Sequence, residues 1–247
     1  MSFLPGAPRR IFFYGHTPAK TGGETPLTDF RLVWQQMDPQ VRQAFETKGV
    51  RHVRNYNGNG FNLSIDPTKT KKWPDMFKTT NKAEVDQKCQ ESGQQHEWHG
   101  NGLRLINNAQ AYQKHPVTGT PVWFNHSQVF HTVGPYHEAR YIASRQKGFR
   151  ANFVKNMLRF MSGLVGRLQP LEGRGTNALF ADGSPIPNSY IAHIQDLIWQ
   201  NMVFLQWQKG DVVAVDNYAV AHGRLPFTGP RKIYVAWTDG YDNNQPN

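Results

Sequence analysis

The sequence predicts a mainly β domain with inserted helices, arranged as a jelly-roll or barrel with the helices packed on one side. Three observations predict it. The last third of the chain alternates short apolar runs with turns: "VFLQW", "DVVAVDN", "YAVAH" and "KIYVAW" are punctuated by stretches such as "QKGD" and "RLPFTGPR". These runs follow one another without a helix between each pair, which favours antiparallel pairing over a βαβ alternation. The length, 247 residues, suits one β-rich domain and lets the chain bury a core without disulfide staples.

The elements are read in order. "RRIFFYG" (9–15) is an apolar run closed by Gly15 and reads as a strand. In "MDPQVRQAFETKG" (37–49), Asp38 can cap a helix, Pro39 suits its first turn and Gly49 its stop. "VRHVRNY" (50–56) alternates and reads as a strand. Asn81, with Glu84 three places on, resembles a capping box for a helix over 81–92 that ends at Gly93. "PVWFN" (121–125) reads as a strand. "ADGSPIP" is turn chemistry, and an amphipathic helix follows from Asn188, with Ile191, Ile194, Leu197, Ile198 and Met202 on its buried face. The whole chain, 1–247, reads as one domain, with 55–108 as a variable, lid-like insertion.

Composition narrows the function classes. The one cysteine, Cys89, cannot form an intrachain bridge, which fits a reducing, cytoplasmic setting. No apolar run approaches the roughly 18 residues of a membrane-crossing helix, so no membrane partner is expected. The net charge of +10 and the stretch "TKTKKW" (68–73) invite a nucleic-acid reading, but no nucleic-acid motif accompanies them. A solvated lysine loop accounts for the stretch, and a positive surface also draws in small anions. There is no G-x-S-x-G elbow, Cys89 has no local activator, and "HEWH" (96–99) sets its histidines three apart, not the four a zinc-protease helix needs.

Three places can hold chemistry. His222 ends an apolar run just before Gly223, where a histidine serves either the fold or a metal. Arg231 precedes "IYVAW" after one lysine, where a guanidinium serves either a rim ion pair or a buried carboxylate held by two parallel hydrogen bonds. "TGGETPLTD" (21–29) is a tight glycine turn with the Thr25 hydroxyl beside it, and it lacks the lysine and spacing of a phosphate loop. In "PVWFNHSQVFH", Trp123, Phe124 and Phe130 read as core or pocket wall, with Asn125, His126 and His131 as polar neighbours.

Four of these segments, in this order, resemble the TauD/TfdA-like family of iron(II)- and 2-oxoglutarate-dependent dioxygenases, in its clavaminate-synthase-like branch. "FFYGHTPAKTGGETPLTDFR" is similar to that branch's strand and GGxTP turn, and "GTPVWFNHSQVFH" to its TGxxVWFN segment. "ADGSPIP" is similar to the turn before its late helix, and "GDVVAVDNYAVAHGRLPFTGPRK" to its GDxxxxDNxxxxHGRxxFxGxR block. The resemblance implies a double-stranded β-helix, a facial triad of two histidines and one carboxylate on iron(II), 2-oxoglutarate chelating the metal, and O2 oxidising a C–H bond of a small-molecule substrate. It makes His222 the distal iron ligand, Arg231 the partner of the far carboxylate of 2-oxoglutarate, and Thr25 a hydroxyl contact of the same cosubstrate. Trp123 and Asn125 fall on the substrate side.

The family's other two iron ligands form an H-x-D/E pair upstream of the GGxT turn. Counting back from Thr25 reaches Met1, and "MSFLPG" holds no His, Asp or Glu. His16 has no acidic residue two places on and makes a poor substitute. The resemblance therefore implies a chain that begins just after the pair, with a jelly-roll incomplete at its N-terminus, weak iron binding and no turnover as it stands. The alternative from another class is a non-catalytic protein that binds 2-oxoglutarate or a partner. Substrate identity and oligomeric state are not readable from the sequence.

Overall fold

The computed structural model describes residues 8–57, 71–146, 148–168 and 174–238. The expectations that fall on residues 1–7 and on 58–70 of the lid-like insertion, Lys69 of the basic stretch included, lie outside them. In chain order the elements are β1 (Arg10–Thr17), β2 (Thr21–Gly22), β3 (Thr25–Asp29), α1 (Phe30–Gln36), α2 (Pro39–Lys48), β4 (Val50–Tyr56), α3 (Trp73–Phe77), α4 (Lys82–Glu91), β5 (Gln95–His99), β6 (Gly102–Ala109), β7 (Tyr112–Lys114) and β8 (Pro121–Trp123). There follow α5 (Ser127–Phe130), α6 (Gly134–Gln146), α7 (Phe149–Leu168), β9 (Thr176–Leu179), α8 (Asn188–Gln200), β10 (Met202–Leu205), β11 (Val212–Asp216), β12 (Val220–His222), β13 (Phe227–Thr228) and β14 (Lys232–Trp237). Strands and helices are mixed, and every strand pairing is antiparallel.

These elements gather into two compact units. The first takes residues 1–42, 111–125 and 196–247, and the second takes 43–110 and 126–195. The first unit holds two three-stranded sheets, in the orders β11-β1-β14 and β10-β3-β12, beside the small pairs β13-β2 and β7-β8. Of the late strands, β10 and β12 join one sheet while β11 and β14 join the other, so the chain changes sheet at each step. The side chains between the sheets form one cluster: Ile11, Phe13, Trp207 and Val215, with Leu27, Leu205, Val220 and Ile233 packed against it. Burying an aromatic side chain of this kind is worth about 2–3 kcal/mol, so Phe13 and Trp207 are the anchors of the interior.

Strand β1 runs through Gly15 to Thr17, past the stop expected at that glycine. A Cβ on Gly15 would lie 2.7 Å from the Gln208 carbonyl oxygen and 2.9 Å from the Trp207 ring. The glycine therefore clears space for the Trp207 indole inside the strand. The second unit is built on a four-stranded sheet, β5-β6-β4-β9. Its cluster of Tyr56, Trp73, Val85, Cys89, Leu103 and Leu105 buries the thiol of Cys89, and burial raises that thiol's pKa.

Local chemistry sets the ends of the helices. Asp38 Oδ1 accepts from the Gln40 amide at 2.9 Å, and α2 stops at Gly49, whose φ is +61°. Asn81 Oδ1 accepts from the Ala83 amide at 3.0 Å and caps α4. On α8, Ile191, Ile194, Leu197 and Ile198 are buried as their spacing requires. Met202 is different: the helix ends at Gln200, and Met202 opens β10 opposite Thr28. No described helix is long and apolar enough to cross a membrane.

Candidate functional site

The site is built on β3, the middle strand of its sheet. Thr25 pairs with Leu205 of β10, and Leu27 pairs with His222 of β12. Side chains alternate along a strand and directly opposed residues share a face, so Thr25, Leu27 and His222 emerge on the same face. That face meets the interior cluster. The Phe13 ring stands edge-on to the His222 ring, with centroids 5.1 Å apart, and is tilted against Trp207 at 6.5 Å. The Trp207 indole N–H donates to Thr25 Oγ1 at 2.8 Å.

Arg231 reaches the same hydroxyl from the loop before β14. Its Nη2 donates to Thr25 Oγ1 at 3.4 Å and its Nε to the Gly23 carbonyl at 3.0 Å. The guanidinium also lies over the Phe227 ring, 5.7 Å from its centroid. No carboxylate among the described residues pairs with it. Burial, with the nearby Arg224 charge adding to it, lowers the Arg231 pKa. Both effects disfavour the bare cation and are relieved by an arriving anion. The Thr25 oxygen accepts from two donors, so its own proton remains to donate to a third group. Thr25 is buried while Arg231 is half-buried, so the pair can present N–H and O–H donors to one carboxylate.

His222 is an exposed residue at the end of β12. The protein around the ring still displaces enough water to lower its pKa, which favours the neutral imidazole, the form that ligates a metal. Neither ring nitrogen has a hydrogen-bond partner among the described residues. No group of three His, Cys, Asp or Glu side chains converges among the described residues.

The other sequence candidates sit elsewhere in the first unit. Trp123 is fully enclosed and stacked on Trp34 at 6.2 Å, as part of the packing of β8 on α1. Asn125 is buried, and its Nδ2 donates to the Ala111 carbonyl at 2.6 Å. His16 lies on the Tyr14 face of β1, against Tyr234 and hydrogen-bonded to Thr17, whereas Phe13 faces His222. Sequence reasoning missed Trp207, the Gly23 carbonyl, Phe13 and Phe227. Gly23 had a signal as the second glycine of the turn, and Phe227 and Phe13 stood inside quoted family segments without a role; Trp207 read as an ordinary strand aromatic.

The model described as "Taurine catabolism dioxygenase TauD, TfdA family" matches residues 1–237. The chain is 31% identical over 242 residues to the dapdiamide synthesis protein DdaC of Enterobacter agglomerans, an alignment covering 96% of this chain and 63% of that protein. It is 27% identical over 235 residues to a clavaminate synthase-like protein of Arabidopsis thaliana, covering 93% of this chain and 60% of that one. The chain thus spans less than two thirds of the length of these curated relatives. The crystal structure of a taurine dioxygenase from Burkholderia xenovorans aligns with 96% of this chain and 54% of its own, at 15% identity and a TM-score of 0.45. With the match running from the first residue through the last described strand, the chain belongs to the TauD, TfdA dioxygenase family.

Proposed function

We propose that this chain carries the 2-oxoglutarate-gripping part of an Fe(II)- and 2-oxoglutarate-dependent oxygenase that acts on a C–H bond of a small molecule. The observation that carries the reading is the Arg231–Thr25 contact at 3.4 Å, on a sheet face shared with His222. Arg231 binds the far carboxylate of the cosubstrate, Thr25 donates its hydroxyl proton to the same carboxylate, and Gly23 and Phe227 hold the guanidinium in place. His222 is the iron ligand of this proposal; Trp123 and Asn125 belong to its substrate side by the resemblance alone, as packing behind the pocket wall, since both are buried. When bound, iron and 2-oxoglutarate would supply the oxidation; the residues here bind and orient. The alternation of late strands between two sheets supports a double-stranded β-helix. The relatives' names, in dapdiamide synthesis and clavaminate synthase-like chemistry, support a small-molecule substrate.

A second reading, a 2-oxoglutarate-binding protein without turnover, is favoured by one observation: the described residues offer no three-ligand cluster. Two measurements on the 247-residue chain test both readings. Calorimetry with 2-oxoglutarate is expected to show binding, and no heat would overturn the cosubstrate site itself. Succinate release with added iron(II) and ascorbate is expected to be absent; succinate would contradict the weak-iron reading and reject the non-catalytic alternative.

A further inference from the structure

The second unit presents a helix whose outer face is exposed among the described residues. On α7, Phe149, Phe153, Met157, Phe160 and Leu164 fall within an arc of about 80° and run about 22 Å along the axis. The three phenylalanines are 88%, 59% and 69% exposed. The opposite face is the anchored one: Val165 and Ser162 are buried, and the Ser162 hydroxyl donates to the Thr132 carbonyl at 3.0 Å. The helix is thus apolar on two sides, and only one side is satisfied by the fold. Contiguous exposed aromatic surface of this kind marks an interaction site.

Charge identifies the occupant. The helix carries Arg150, Lys155, Arg159 and Arg167 and no acidic residue. From residue 139 to residue 171 the sequence has seven Lys or Arg and no Asp or Glu. A second copy meeting this face about a two-fold axis would set the same cations against each other. A lipid surface accepts a convex apolar crest flanked by cations, which is the design of helices that lie in the membrane interface.

We propose that α7 docks this protein on anionic phospholipid bilayers, with Phe149, Phe153 and Phe160 seated at the headgroup–acyl boundary and Arg150 and Arg159, on either side of them, on lipid phosphates. This requires no spanning helix, so the absence of one, from which the sequence predicts no membrane partner, does not bear on it.

Co-sedimentation with phosphatidylcholine vesicles, with and without phosphatidylglycerol, tests the proposal. The chain is expected to partition at least about tenfold more strongly onto the anionic vesicles and to be released by high salt. Phe153→Ser with Phe160→Ser is expected to abolish the binding, with the thermal transition retained because both side chains are exposed. Should that variant fail to fold, Arg150→Gln with Arg159→Gln is expected to weaken binding by about tenfold and carries the test. Three results overturn the proposal: no binding to anionic vesicles, binding that survives these substitutions as general adsorption, or a dimer in light scattering that the phenylalanine variant converts to monomer.

Discussion

Gly23 shows how one residue sets the geometry of an anion grip. Its φ of +75° lies in the left-handed region, and its carbonyl receives the Arg231 Nε at 3.0 Å. A Cβ there would lie 2.9 Å from the Ala19 Cβ and 3.1 Å from the Arg231 Cδ. Gly23→Ala therefore strains the backbone by about 1–2 kcal/mol and pushes on the guanidinium stem. The expected outcome is a lower melting temperature together with 2-oxoglutarate affinity reduced several-fold. Thermal denaturation and calorimetry on the same variant check it; unchanged affinity would show that Gly23 does not position Arg231.

At the scale of elements, the β7–β8 hairpin is tied to the end of β11 through one buried imidazole. His115 Nδ1 accepts from the Val117 amide at 3.3 Å and the Thr118 amide at 3.2 Å. The ring proton is thereby fixed on Nε2, which donates to Asp216 Oδ2 at 2.9 Å. Asp216 Oδ1 in turn accepts from the Tyr218 amide at 3.1 Å in the turn that leads to β12 and His222. Asp216 of the "GDVVAVDN" block thus holds strands in place. His115→Ala leaves two backbone amides without their acceptor and opens a cavity, so a loss of about 2–4 kcal/mol is expected in urea unfolding. A loss under about 0.5 kcal/mol, the range of an ordinary surface substitution, would contradict the tie.

At the scale of the molecule, buried histidines link stability to pH. Burial lowers the pKa values of His52 and His131 in the second unit from 6.5 to about 4. Both fold neutral, so their contribution is complete above the unfolded pKa of 6.5 and is lost as pH falls toward 4. By pH 5 each removes on the order of 2 kcal/mol. Urea unfolding at pH 7.5 and pH 5 is expected to show that drop, and equal stability at the two values would contradict the burial account.

How much of this was legible in the sequence depended on how local the cause was. Caps and periodicity marked α2, α4, α8 and the late strands because Asp38, Asn81 and the turn glycines act on neighbours in the chain. The end of α8 was misplaced at Met202 because that residue keeps the helical spacing while its backbone joins β3. Helix α7 carried no legible sign, having apolar residues on two faces and no strong cap. In the site, local features marked Thr25 and Arg231 as candidates, and the motif gave them a role. Their shared geometry depends on Trp207, 182 residues from Thr25, and on the space left by Gly15, which no local pattern encodes.

The central claim is that Arg231, steadied by Gly23 and Thr25, binds the far carboxylate of 2-oxoglutarate. The most direct measurement is calorimetric titration of 2-oxoglutarate into the unaltered chain and into Arg231→Ala. Loss of a charged hydrogen-bonded contact is expected to weaken binding by about 10- to 100-fold. Equal affinity in the two proteins would contradict the claim.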